Sequence, residues 1–87
     1  MITMYEVTFG FHKSHEDIIK DIIASRNGML SDNCIDGFKD SKDVPNFKEG
    51  SALFDCRQDM NIFLYSTLNR FGYYYFYVER IEWFDVE

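Results

Sequence analysis

The chain closes on YYYFYVERIEWFDVE, residues 73–87, and the reading of this stretch decides the fold. Seven of its fifteen side chains are aromatic and four are carboxylates, with a single cation among them. Length and composition predict a long strand, or two strands in sequence. Tyr74, Phe76 and Val78 would share one face, whereas Ile81 and Trp83 would share the other, so the alternation slips near Glu79 and Arg80. A bulge or sharp twist at that point would restore a continuous buried face.

Working back from this strand, QDMNIFLYSTLNRFG (58–72) carries Met60, Phe63, Leu64, Thr67, Leu68 and Phe71 at helical spacing, and Gly72 supplies the stop. SALFDC before it suits a short strand, with Asp55 or Asp59 as candidate helix caps. At the other end of the chain, ITMYEVTFGF places Tyr5, Val7, Phe9 and Phe11 on one side of a strand. SHEDIIKDIIASRNG follows as a helix, with Ser14 as predicted N-cap, Ile18, Ile19, Ile22 and Ile23 on the inner side, and Asn27-Gly28 as the stop. Residues 29–49 open either with a strand after Gly28 or with a short helix that turns Leu30, Cys34, Ile35 and Phe38 inward. Gly37 and Pro45 oppose a long element of either kind. The order predicts a single α+β domain over residues 1–87: a two-layer sandwich with two helices on one face of an antiparallel sheet, ferredoxin-like βαββαβ.

The bulk properties restrict the function. Apolar residues are 46% of the 87 and aromatics 18%, enough for a packed core without cross-links. Nine basic and fifteen acidic residues give a formal charge of −6, with a pI near 4.7, which opposes binding to nucleic-acid phosphates and favours a basic partner. Cys34 and Cys56 match no zinc or redox spacing and read as reduced thiols in a cytoplasmic protein. No apolar run is long enough to span a membrane.

Chemistry-bearing constellations are sparse. His12 and His15 lie beside Glu16 and Asp17, but neighbours in sequence point apart on a helix, and no further metal ligand is nominated. Asp55 and Asp59, four apart, read as caps, and no phosphate-binding or dinucleotide motif is present. The expectation is therefore no catalytic residue, no metal and no cofactor. The carboxylates form the stronger pattern. Asp32, Asp36, Asp40 and Asp43 are spaced so that any helical turn would align neighbouring acids roughly 6 Å apart. Glu79, Glu82, Asp85 and Glu87 supply a second row on the final strand. Together they are the expected partner-binding residues. Tyr73, Tyr75 and Tyr77 suit a protein interface better than a base-stacking platform, given the surrounding acids, and make a homodimer a further expectation.

In size, acidity and the lack of a catalytic motif, the chain resembles the small early anti-restriction proteins of T-even bacteriophages, the Arn-like DNA mimics. The resemblance implies an inhibitor, not an enzyme, that occupies the basic DNA-binding site of a host restriction nuclease or other DNA-binding protein, with surface carboxylates in place of phosphates. The alternative from the residues alone is a regulatory module of the toxin-neutralising, immunity-like kind, with a small enzyme ranked third.

Overall fold

The computed structural model describes residues 2–34 and 36–86, with only the backbone of Asn33. The elements run β1 (Ile2–His12), α1 (Glu16–Ser25), β2 (Met29–Leu30), β3 (Lys39–Asp40), β4 (Phe47–Phe54), α2 (Arg57–Phe71) and β5 (Phe76–Val86), with 3-10 turns at Lys13–His15 and Asp32–Cys34. The sheet order is β2-β4-β1-β5, and β3 joins β4 as well; every pairing is antiparallel. This is the ferredoxin-like α+β sandwich that the element order predicts, with β3 as an added two-residue strand.

The β1 alternation places Val7, Phe9 and Phe11 in the core, each fully buried, with Tyr5 half-buried. The two helices cover that face with Ile19 and Ile23 from α1 and Met60, Phe63, Leu64 and Thr67 from α2. Phe63 sits among three other rings, with centroids 5.5 Å from Phe9, 5.4 Å from Phe54 and 6.1 Å from Phe76. The edge-to-face geometries of the Phe9 and Phe76 pairs add to the area that they bury.

The slip in the closing strand is a bulge. Thr8 pairs with Arg80 and Phe9 with Val78, so Glu79 is the extra residue. Side chains alternate across a strand, so the bulge brings Phe76, Val78, Ile81 and Trp83 to the face they share with Phe11, Phe9, Val7 and Tyr5. On the opposite face the Tyr77 ring lies over Gly10, where a β-carbon would collide with it. The long strand begins at Phe76, however, so Tyr73, Tyr74 and Tyr75 belong to an exposed turn and not to a row on the sheet.

Both predicted helix stops hold. Asn27 adopts φ 58°, the Gly28 amide donates to the Ile23 carbonyl at 2.9 Å, and Gly72 takes φ 72° as its amide donates to the Leu68 carbonyl. The starts differ. A 3-10 turn precedes α1, and its cap is His12, whose Nδ1 accepts the Ser14 amide at 3.2 Å, so Ser14 is the donor and not the cap. Cys56 occupies the N-cap of α2 without a side-chain hydrogen bond, so neither Asp55 nor Asp59 caps it; Asp59 lies in the first turn, where the helix dipole favours an acid.

The middle segment takes the strand option at Met29–Leu30, followed by the 3-10 turn. Cys34 and Phe38 are buried as expected, while Ile35 lies outside the described residues. The Cys34 sulfur accepts the Ser51 amide at 3.2 Å and so satisfies an edge donor of β4 beyond the end of β2. No disulfide joins Cys34 to Cys56. Among the described residues, no helix is long and apolar enough to cross a membrane.

Candidate functional site

The sheet is not of even width. Pairing between β1 and β4 stops at Tyr5 and Phe54, whereas β1 and β5 continue to pair out to Ile2 and Val86. Residues 2–4 and 84–86 therefore form a two-stranded ribbon that projects past the body of the sheet. The chain leaves β4 at this end and enters α2 within three residues. The first turn of α2 and the base of the ribbon enclose a cleft of about 410 Å³, lined by Tyr5, Arg57, Met60, Asn61, Ile81 and Trp83.

Each lining residue follows from its element. Arg57, Met60 and Asn61 are spaced three and four apart and so share one face of α2. Tyr5 and Trp83 are cross-strand partners, and Ile81 follows on the same face. The bulge at Glu79 turns both Ile81 and Trp83 toward the helices, but no helix reaches far enough to cover them. Ile81 is 40% exposed and Trp83 71%. Tyr5, Met60, Ile81 and Trp83 give apolar walls, and Arg57 and Asn61 bring donors from α2. Arg57 makes no ion pair among the described residues.

A second cluster lies at the far end of β1. His15 stacks on Phe71 with ring centroids 4.3 Å apart and a 26° interplanar angle, and meets the Tyr75 ring edge-on at 5.7 Å. His12 is 6.0 Å from His15 and packs against Phe47 and Tyr75. Burial, then the neighbouring His12 and Arg70, hold the His15 pKa below the ordinary histidine value. The two histidines that sequence spacing sets apart are thus neighbours, although no group of metal-ligating residues occurs among the described residues. Close by, Glu16 bonds Lys48 at 2.7 Å and Lys20 at 3.1 Å, and the Lys48 hydrogen bond in particular lowers the Glu16 pKa.

The carboxylates do not form two aligned rows. Residues 32–43 hold a single 3-10 turn and a two-residue strand, so no continuous helix stacks their acids. Asp32 belongs to the turn beyond β2, Asp36 follows it, and Asp40 stands opposite Lys48 across β3 and β4. Glu82 and Asp85 lie on β5, at the other edge of the sheet. Glu82 is held by Arg80 at 2.7 Å, and Asp85 accepts a hydrogen bond from Thr3 Oγ1 at 2.9 Å. Asp43 from the first group and Glu79 from the second both act on Tyr77, whose pKa rises mainly through burial and then through Glu49, Glu79 and Asp43. Glu87 is outside the described residues.

Sequence reasoning missed the cleft. Its signal was present in Arg57 and Asn61, one helical turn apart, and in a tryptophan placed beyond the last residue that the helices can cover.

No family model matches the chain, and no curated protein does. Among solved structures it is similar to one described as an antibiotic biosynthesis monooxygenase from Chloroflexus aurantiacus J-10-fl, at 8% identity and a TM-score of 0.42, over 97% of this chain and 93% of that one. At this TM-score and identity the likeness carries no argument for a function. The expectation of an acidic inhibitor, DNA-mimicking or immunity-like, is corrected: the acids are divided among a turn, β3 and β5 and form no continuous row for a mimic, and the structure holds instead a cleft lined mainly by apolar side chains.

Proposed function

We propose that the chain is a small-molecule-binding domain and that its ligand occupies the cleft between α2 and the β5 ribbon. The observation that carries this reading is the lining itself: four apolar side chains from three elements converge with two polar ones on a volume of about 410 Å³. Pockets that bind small molecules combine an apolar body with a few placed polar groups, in roughly this range of volume.

The chemistry of the lining restricts the ligand. Tyr5 and Trp83 favour a flat apolar ring system, because aromatic side chains bury large areas in stacked or edge-on geometry. Arg57 offers a planar fork of donors at the amino end of α2, where the helix dipole also favours negative charge. Asn61, one turn on, offers both a donor and an acceptor. A flat molecule with a carboxylate or similar anionic group satisfies all of these at once. The reading is of binding: Tyr5, Arg57 and Asn61 are the polar groups that the lining offers, and it contains no carboxylate, histidine or thiol.

The test is a thermal-shift comparison of flat aromatic carboxylates with their neutral amides. Carboxylates are expected to raise the melting temperature more than the amides, and Arg57→Ala is expected to abolish that preference while ring binding persists. No shift from either series, or a preference for acids that survives Arg57→Ala, counts against the reading.

A further inference from the structure

β5 is an edge strand, and its apolar residues stay exposed although each stands opposite a residue of β1. Besides Trp83 and Ile81, Phe84 is 44% exposed and Val86 is 42% exposed. Soluble proteins commonly protect such an edge with repelling charges. The charges here are arranged otherwise. We propose that this edge binds a second copy of the chain, β5 against β5 in antiparallel pairing, with the twofold axis at Ile81.

The register follows from charge and from the bulge. In a symmetric antiparallel pair, opposed residues must lie on the same face, so the axis passes through a residue of the strand. An axis at Glu82 would oppose Glu82 to its own copy, and an axis at Arg80 would oppose two arginines. An axis at Ile81 opposes Arg80 to the partner's Glu82, and Glu82 to the partner's Arg80, while Ile81 meets the partner's Ile81. Unlike charges directly opposite stabilise a strand pair, and like charges weaken it.

Glu79 is already the extra residue in the pairing with β1, and leaving it out again sets the flanks. Trp83 then faces the partner's Val78 on the helix side of the sheet. Phe84 faces the partner's Tyr77 on the other side. The two most exposed rings of the strand therefore gain apolar partners on their own faces, and Glu79, which a regular ladder would set opposite the partner's Trp83, stays out of the pairing. The result is one sheet continuous through two chains, with the partner's β5 along the outer side of the Trp83 cleft. The pairing rests on the strand alone and not on the ligand reading.

The test is the solution mass together with the register. Sedimentation of the full chain is expected to give twice the 10.4 kDa chain mass at high protein concentration. Arg80→Glu, folded by circular dichroism, is expected to raise the dimer dissociation constant about tenfold or more, because two attractive contacts become repulsive. The exchanged pair Arg80→Glu with Glu82→Arg is expected to restore it. In a Cys56→Ser background, Ile81→Cys is expected to form an intermolecular disulfide on mild oxidation, since directly opposed strand residues lie within disulfide reach. Trp83→Cys is expected not to do so. This crosslink reads the register even if Arg80→Glu fails to fold. A 10.4 kDa mass at the highest soluble concentration overturns the proposal. So does a dimer indifferent to Arg80→Glu, or one that crosslinks through position 83 and not 81.

Discussion

The His15 ring lies stacked on Phe71, 4.3 Å between centroids, and so fastens the turn that precedes α1 to the last residue of α2. Burial there favours the neutral imidazole, and His12 and Arg70 act in the same direction. The unfolded chain takes up the His15 proton at the ordinary value of 6.5, and the folded chain only at a lower pH. Between the two values the unfolded state binds more protons, so stability rises with pH through this window and is lost as pH falls below 6.5. Urea unfolding about one unit above and one unit below that value should show the loss. His15→Phe keeps a ring on Phe71 without a titrating group and is expected to flatten the dependence; an unchanged slope would assign it to other groups.

Phe63 is the centre of the core, with Phe9, Phe54 and Phe76 around it. Phe63→Ala is expected to cost about 3–5 kcal/mol, a transfer loss plus a cavity that the stiff β1 strand cannot collapse. Domains of this kind are stable by roughly 5–15 kcal/mol, so the variant should be close to unfolding at room temperature. The urea midpoint is the measurement, and a shift of less than about 1 kcal/mol would show that the ring cluster is not the centre of the core.

The bulge gives a prediction in the opposite direction. Without Glu79 the strand reads Phe76, Tyr77, Val78, Arg80, Ile81, and the apolar residues alternate without a slip. Deleting Glu79 is expected to change stability by about 1 kcal/mol or less. Deleting Val78 forces either Glu79 or Tyr77 into the Val78 position against the helices, and should cost about 2 kcal/mol or more. Thermal melts of the two deletions compare them directly, and equal losses would mean that the bulge does not set the register.

Much of this fold could be read from residue patterns because local preference and burial agree. The β1 alternation, the isoleucines of α1, the α2 stripe and the Asn27 and Gly72 stops each state one conformation. The irregularity at Glu79 was legible for the same reason, since two apolar sets on opposite parities cannot both be buried on a regular strand. The acids misled because their spacing has meaning only on a helix, and residues 32–43 form a turn and a short strand. Helix starts misled because His12 outcompetes Ser14 through a contact that a capping pattern does not describe. Of the cleft, only single lining residues such as Arg57, Asn61 and Trp83 could be noticed; the cavity itself depends on β5 outrunning β4, a matter of strand lengths and register between distant segments.

Trp83 is the single tryptophan of the chain and lines the cleft, so its fluorescence reports on the proposed site without a label. Titration with a flat aromatic carboxylate chosen to be transparent at the excitation wavelength is the most direct test. The account predicts a saturable quench or blue shift of the Trp83 emission, weakened about tenfold or more in Arg57→Ala, as loss of a charged hydrogen bond requires. Saturable binding seen by calorimetry that leaves Trp83 emission unchanged would place the ligand elsewhere and contradict the account.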